Sequence, residues 1–111
     1  MELDIVTEQA GTACTIALAG EVDVYTSPRL KEAIVEAVDA GCVNLVVDLE
    51  DVSFIDSSGL GVLVSGLRRV KEREGTLRLV CTKDGTLKVF RITGLDKVFP
   101  LFSSPEEARE F

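Results

Sequence analysis

The fold is decided by a central stretch in which a strand pattern leads into a helix pattern, Val43-Asn44-Leu45-Val46-Val47-Asp48-Leu49 and then Asp56-Ser57-Ser58-Gly59-Leu60-Gly61. Residues 43–49 are nearly all apolar, which is typical of a strand covered on both faces of a parallel sheet. Between Ser57 and Gly75, apolar residues recur at helical spacing. The stretch therefore predicts a central strand whose carboxyl end leads into a helix.

Strands and helices alternate on either side of this stretch. Residues 2–8 and 12–19 alternate in polarity around the turn Ala10-Gly11, so we expect a hairpin whose second strand is broken by Gly20. Ser27-Pro28 predicts a helix start with Ser27 as the N-cap. We expect that helix to end at Gly41. Later in the chain, we expect a strand at 77–81 and a helix from Asp84 or Thr86 to Gly94. A short terminal strand or extended segment at 98–102 should follow, and then a helix at 105–111 opened by the capping box Ser104-Pro105-Glu106-Glu107.

This order, ββαβαβα(β)α, predicts an α/β fold because alternating strands and helices form parallel crossovers. We expect one domain over residues 1–111, with a mixed, mostly parallel sheet of four to five strands packed by about four helices. No internal repeat or linker interrupts the chain.

Charge limits the class of partner. Nineteen acidic residues against twelve basic ones give a formal net charge of -7. Binding to nucleic acid needs clustered Lys and Arg, so we expect no nucleic-acid partner and favour a protein partner. No apolar run approaches the ~18 residues of a membrane span. Because residues 1–4 also lack the features of a signal peptide, we expect a cytoplasmic protein without a membrane partner.

The nucleophilic and metal-binding residue types are sparse. The three cysteines, Cys14, Cys42 and Cys81, are widely spaced, so we expect small buried side chains rather than a disulfide or a zinc site. Histidine is absent, which excludes Ser-His-Asp and Cys-His nucleophile systems. We expect neither a metal nor a cofactor, although a carboxylate cluster could in principle hold magnesium; the acidic residues in question are Asp23, Asp48, Asp51 and Asp56.

The run of residues 56–61 resembles two catalytic motifs incompletely. The nucleophile elbow of hydrolases has a glycine two positions before its serine and a histidine partner, and both are missing here. A nucleotide-binding loop would need a third glycine at Val64. We therefore expect no enzyme, and we expect Gly59 and Gly61 to let the helix start pack closely on a neighbouring element.

The two serines at this helix start have two readings. Ser57 or Ser58 can cap the helix, since a hydroxyl accepts from the free N–H groups there. Either can instead carry a phosphate, which a helix N-terminus tolerates and which would repel an acidic partner surface. The residues alone leave both readings open.

Two separated segments together resemble a known family. They are similar to the bacterial anti-sigma factor antagonists, which are STAS-domain proteins of the SpoIIAA, RsbV and BldG-like type. The first segment is Gly20-Glu21-Val22-Asp23-Val24-Tyr25-Thr26-Ser27-Pro28, and the second is Val47-Asp48-Leu49 with Asp56-Ser57-Ser58-Gly59-Leu60-Gly61-Val62-Leu63. The resemblance covers essentially the whole chain. It implies a STAS-like fold and a binding switch rather than an enzyme.

The resemblance also implies partners and roles. The unmodified antagonist would bind an anti-sigma factor that is also a serine kinase, and so release a sigma factor. Phosphorylation on Ser57 would inactivate it, and a PP2C-type phosphatase would restore it; ATP and Mg²⁺ belong to the kinase. The Asp23 loop would lie beside Ser57, and the chain would be a monomer or weak dimer. The implied partner-binding residues are Asp23, Tyr25, Thr26, Asp56, Ser57, Ser58, Gly59 and Gly61.

Two rival functions are kept. A STAS domain can serve as a scaffold subunit of a larger signalling or lipid-transport complex. A small hydrolase that uses Ser57 is the other rival, and the lack of histidine weighs against it.

Overall fold

One five-stranded sheet organises the chain in the computed structural model, which describes residues 2–110. The strands are β1 (Leu3–Ala10), β2 (Ala13–Val22), β3 (Asn44–Ile55), β4 (Thr76–Val80) and β5 (Leu101–Phe102). The helices are α1 (Ser27–Asp39), α2 (Ser57–Lys71), α3 (Asp84–Thr93) and α4 (Pro105–Glu110), with a 3-10 turn at Leu95–Lys97. The predicted fold class is confirmed. Met1 and Phe111, which the predicted domain and last helix include, lie outside the described residues.

The sheet is mostly parallel, with the strands in the order β1-β2-β3-β4-β5. β1 pairs antiparallel with β2 as the predicted hairpin, and every later neighbouring pair is parallel. Parallel neighbours need a crossover, and α1, α2 and α3 supply one each. The carboxyl ends of β2, β3 and β4 therefore meet at one edge of the sheet, where these three helices begin.

Both faces of the central strand are covered, as its apolar run predicts. Leu45, Val47 and Leu49 lie in the main core with the buried residues of α1 and α2. Val46, which points to the other face, packs in a second cluster with Val80, Phe102 and Ala108 of α4. Each fully buried aliphatic side chain contributes about 1.5–3 kcal/mol. Between residues 2 and 110, no helix has the length and apolar character needed to cross a membrane.

The central strand pair is longer than predicted, and this extension carries the site described below. β3 continues past Leu49 to Ile55, because it stays paired with β2 as far as Val22. β2 is not broken at Gly20; the pairing instead shifts register near that residue. Gly20 has a φ of +123°, and a Cβ there would lie 2.2 Å from the carbonyl oxygen of Glu2. A glycine thus lets the strand pass through a bulge at this point.

Two helix starts differ in detail from the prediction. The N-cap of α1 is Thr26, not Ser27, and its side chain makes no capping hydrogen bond. At α4, the N–H of Glu107 donates to Ser104 Oγ at 3.1 Å, which is half of the expected capping box. The Glu107 carboxylate accepts a hydrogen bond from the hydroxyl of Ser103 at 2.8 Å instead of reaching back to Ser104.

The prediction that no cysteines are linked is wrong. Cys14 and Cys42 form a disulfide, with their Cα atoms 5.8 Å apart, although their predicted burial is confirmed. Their separation of 28 residues hides this proximity. Cys42 lies in the connection from α1 to β3, and Leu45 of β3 is the register partner of Cys14. Cys81 is a free, buried thiol, and its pKa is raised by burial and by the nearby Glu50 carboxylate.

Reduction of the Cys14–Cys42 disulfide should lower the free energy of unfolding by about 3–4 kcal/mol, because the cross-link restricts the unfolded chain. Urea unfolding with and without dithiothreitol measures this difference. A Cys14→Ala variant is the control, since its unfolding should not respond to the reductant. Equal midpoints for the native chain under both conditions would contradict the prediction.

Candidate phosphorylation and partner-binding site

The ends of β2 and β3 bring two loops together. Val22 and Ile55 are register partners, and the N–H of Asp56 donates to the carbonyl oxygen of Val22 at 3.1 Å. The loop of residues 23–26 therefore leaves the sheet next to the first turn of α2. These are the two segments whose sequence resembles the anti-sigma factor antagonists, so the fold joins motifs that are about thirty residues apart in the chain.

Asp56 is the N-cap of α2. Its Oδ1 accepts hydrogen bonds from the N–H groups of Ser58 at 2.9 Å and Gly59 at 3.2 Å. The hydroxyl of Ser58 donates to the same oxygen. The pKa of Asp56 is lowered, first by the Ser58 hydroxyl and also by the N–H groups of Gly59, Ser58 and Val24, while desolvation opposes them. The side chain that caps α2 is therefore that of Asp56, not that of Ser57 or Ser58.

The two serines differ in exposure and bonding. Ser57 is the first residue of α2 and is exposed to solvent. Within residues 2–110, no side-chain hydrogen bond of Ser57 is found, so its hydroxyl is open to an approaching reagent. Ser58 is half-buried, and its hydroxyl is bound to Asp56. Of the adjacent pair, Ser57 has the geometry of a modifiable side chain.

Asp23 and Thr26 shape the neighbouring loop from inside. Both are 5% exposed. Asp23 Oδ1 accepts hydrogen bonds from the N–H groups of Tyr25 and Thr26, each at 2.9 Å, and the Asp23 N–H donates to Thr26 Oγ1 at 2.9 Å. The Thr26 hydroxyl also donates to the carbonyl oxygen of Glu21 at 2.8 Å. These two residues therefore hold the loop in shape rather than offering a free contact surface.

The same turn pushes apolar side chains outward. Tyr25 is 84% exposed and Val24 is 62% exposed. Phe54, just before the α2 N-cap, is 47% exposed. Tyr25 is among the predicted partner-binding residues, whereas Val24 and Phe54 are not, because apolar residues beside predicted strands are normally taken as core. With Asp23 and Thr26 buried, the two residues between them, Val24 and Tyr25, are turned outward.

The two glycines of the motif have different roles. A Cβ on Gly59 would lie 2.6 Å from Val22 Cγ1 and 2.8 Å from Ile55 Cγ1, so close packing of the helix on the strand ends requires a glycine here. A Cβ on Gly61 would meet nothing within 4 Å. The prediction of close packing is correct for Gly59 and wrong for Gly61, which is exposed.

The acidic residues considered as a magnesium site lie in different parts of the fold. Within the described residues 2–110, no group of three or more Asp, Glu, Cys or His side chains is arranged to hold a metal ion. Asp23 and Asp56 lie in adjoining loops, whereas Asp48 and Asp51 are strand residues of β3. One oxygen of Asp23, Oδ2, is buried without a hydrogen-bond partner among the described groups.

Comparison with known proteins identifies the family. The model of a family described as the STAS domain matches residues 4–108. The chain belongs to the STAS-domain family.

Relatives of this STAS domain carry informative names. The anti-sigma-B factor antagonist of Bacillus subtilis (strain 168) is 34% identical over 106 residues, which cover 96% of this chain and 96% of the relative. The structure of the anti-sigma factor antagonist SpoIIAA in its unphosphorylated form is 26% identical, has a TM-score of 0.84, and aligns over 96% of this chain and 94% of that one. The resemblance read from the two motifs is thereby confirmed.

A phosphorylated structure is also similar to this STAS domain. The Bacillus cell fate determinant SpoIIAA in the phosphorylated form is 26% identical, with a TM-score of 0.75 over 96% of this chain and 97% of that chain.

Gly59→Ala should destabilise this STAS domain by about 1–3 kcal/mol, because the added methyl overpacks the contact with Val22 and Ile55. Gly61→Ala is the matched control, since it adds the same methyl to the same helix in open space. It should be neutral or stabilising by about 0.5–1 kcal/mol. Thermal or urea unfolding measures both variants, and equal effects would contradict the close packing assigned to Gly59.

Proposed function

We propose that this STAS domain is an anti-sigma factor antagonist controlled by phosphorylation of Ser57. In its unphosphorylated form it binds an anti-sigma factor that is also a serine kinase, and so frees a sigma factor. The kinase inactivates it by phosphorylating Ser57, and a PP2C-type phosphatase restores it. The observation that carries this proposal is the exposed, unbonded Ser57 hydroxyl at the first turn of α2, in a family whose relatives bear the antagonist name.

The proposed partner surface combines one modifiable hydroxyl with apolar contacts. Tyr25 and Val24 supply the exposed apolar area beside the strand ends, and aromatic residues frequently dominate binding energy at interfaces. Asp23 and Thr26 keep that loop in a single shape, which reduces the ordering cost on binding. In this proposal, Asp23 and Thr26 position the surface, while Tyr25 and Ser57 touch the partner.

The charge change explains why phosphorylation would act as a switch. A phosphate adds about -1.5 to -2 charges at neutral pH. At Ser57 it would stand next to the ionised Asp56, whose lowered pKa keeps that carboxyl charged. Closing an interface over this group would bury a dianion and a carboxylate together, which costs several kcal/mol per unpaired charge. A surface suited to neutral Ser57 would therefore reject the modified form.

Other features of the proposal follow from the same reaction scheme. The kinase supplies ATP and Mg²⁺, so this STAS domain itself needs neither a cofactor nor a catalytic residue. A cytoplasmic location and a monomeric or weakly dimeric state are part of the proposal. We expect neither a nucleic-acid nor a membrane partner, in keeping with the net charge of -7.

Incubation with the cognate anti-sigma factor kinase and ATP should place one phosphate on Ser57 of the native chain, located by mass spectrometry. Ser57→Ala should abolish labelling, and Ser58→Ala, which changes the neighbouring hydroxyl, is the matched control and should still be labelled. Persistent labelling of Ser57→Ala at the native rate would refute the assignment.

Tyr25→Ala should weaken the binding of the unphosphorylated STAS domain to its anti-sigma factor by about tenfold or more, because it removes the most exposed apolar side chain of the loop. Isothermal titration calorimetry measures the dissociation constant. Ile92→Ala is a suitable control, since Ile92 is 73% exposed but lies on α3, outside both loops. An unchanged dissociation constant for Tyr25→Ala would remove this loop from the proposed interface.

A further inference from the structure

We propose that Asp56 determines which of the two adjacent serines is phosphorylated, by binding the Ser58 hydroxyl and leaving Ser57 free. This inference rests on the proposed function, because it concerns the same kinase reaction. It assigns a specificity-determining role to Asp56, which neither donates nor accepts the phosphoryl group.

The first step of the argument is the hydrogen bonding of Asp56. A single oxygen, Oδ1, accepts from the Ser58 hydroxyl, the Ser58 N–H at 2.9 Å and the Gly59 N–H at 3.2 Å. Ser58 is held through both its backbone and its side chain, and it is half-buried. Ser57 has none of these restraints, although it is the immediate neighbour.

The second step concerns the transfer chemistry. The serine Oγ attacks the γ-phosphorus of ATP, an O–P bond forms, the bond to the bridging oxygen of ADP breaks, and the hydroxyl proton passes to a base on the kinase. A hydroxyl must therefore be able to turn its proton toward the kinase. The Ser58 proton is directed at Asp56, so its transfer would first require loss of a charge-assisted hydrogen bond.

The third step concerns where a phosphate could be held. A helix N-terminus generally favours a phosphate because its N–H groups are free. Here the N–H groups of Ser58 and Gly59 already donate to Asp56, and that of Leu60 donates to the Asp56 carbonyl oxygen at 3.1 Å. A phosphate on Ser58 would replace a donor to the Asp56 carboxylate with a dianion. On exposed Ser57, the phosphate can point into solvent and leave the cap intact.

Charges around the site oppose a phosphate on Ser58 from both loops. Asp56 lies at the N-cap, and buried Asp23 lies in the loop packed beside it with one oxygen unpartnered among the described groups. The two segments that meet here, residues 20–27 and 53–66, contain no Lys, Arg or His to compensate. A phosphate on Ser58 would therefore be repelled by the Asp56 carboxylate without a cation from these two segments to offset the repulsion.

The test that does not need the kinase uses phosphoserine placed during translation at position 57 or 58 of the full chain. At pH 7, phosphate at 58 should raise the unfolding equilibrium constant about tenfold or more above that of the chain phosphorylated at 57, through lost capping and repulsion. Asp56→Asn retains a capping oxygen without the charge, so it should reduce the ratio of these two unfolding equilibrium constants to about threefold or less. Equal constants for the two native-background proteins would overturn the proposal.

The kinase reaction supplies a second readout. In a Ser57→Ala background, labelling should be abolished while Asp56 holds the Ser58 hydroxyl, and Asp56→Asn should raise phosphorylation of Ser58 to a measurable rate because that hydroxyl is then less tightly held. Asp51→Asn is the matched control: it removes an exposed β3 carboxylate outside the cap and should leave the rate unchanged. Equal rates for Asp56→Asn and Asp51→Asn would overturn the proposal. If the kinase modifies neither serine in any variant, including the native chain, the proposed function fails, whereas failure of the Asp56 inference alone leaves the native chain labelled at Ser57.

Discussion

Pairing of β2 with β3 along almost their whole length is the constraint on which the rest of the structure depends. It runs from Ala13 opposite Asn44 to Val22 opposite Ile55, well beyond the point where β4 stops pairing with β3 at Asp48. The strand pair therefore projects past its neighbour and presents two loops at its tip. Close packing of Gly59 on Val22 and Ile55 then fixes α2 against this tip. The site is therefore built on the ends of paired strands and on a packed helix start rather than on a long loop.

The two loops at that tip are each organised by one carboxylate. Two buried or half-buried carboxylates, Asp23 and Asp56, organise backbone N–H groups in their own loops, and each does so through one Oδ1 atom. The same residues that stabilise the loops therefore make the region unfavourable for further negative charge. Structural capping and sensitivity to a phosphate are two consequences of one arrangement.

The sequence alone predicts most of the architecture and locates the site. The apolar run at 43–49 and the helix spacing after it correctly indicate a central strand and α2, because both patterns arise from burial. The serine run is correctly placed at a helix start. The extension of β3 to Ile55 is missed, since Asp51, Ser53 and Phe54 are exposed and interrupt the continuous apolar run, although Val52 and Ile55 are buried. The Cys14–Cys42 bond depends on a contact between segments 28 residues apart, and the outward turn of Val24 depends on side-chain hydrogen bonds of Asp23 and Thr26; apolar periodicity encodes neither.

The disulfide lies at the opposite end of the same strand pair from the site. Cys14 is near the start of β2 and Val22 is at its end, a distance of about 26 Å for extended chain. Cys14 and Cys42 are bonded to each other, whereas the Asp56 carboxylate accepts hydrogen bonds from Ser58 and Gly59. Free-energy changes at separated sites without common partners usually add. Loss of the disulfide should therefore lower the stability of the domain while leaving the hydrogen bonds of the Asp56 cap at the other end of the strand pair in place.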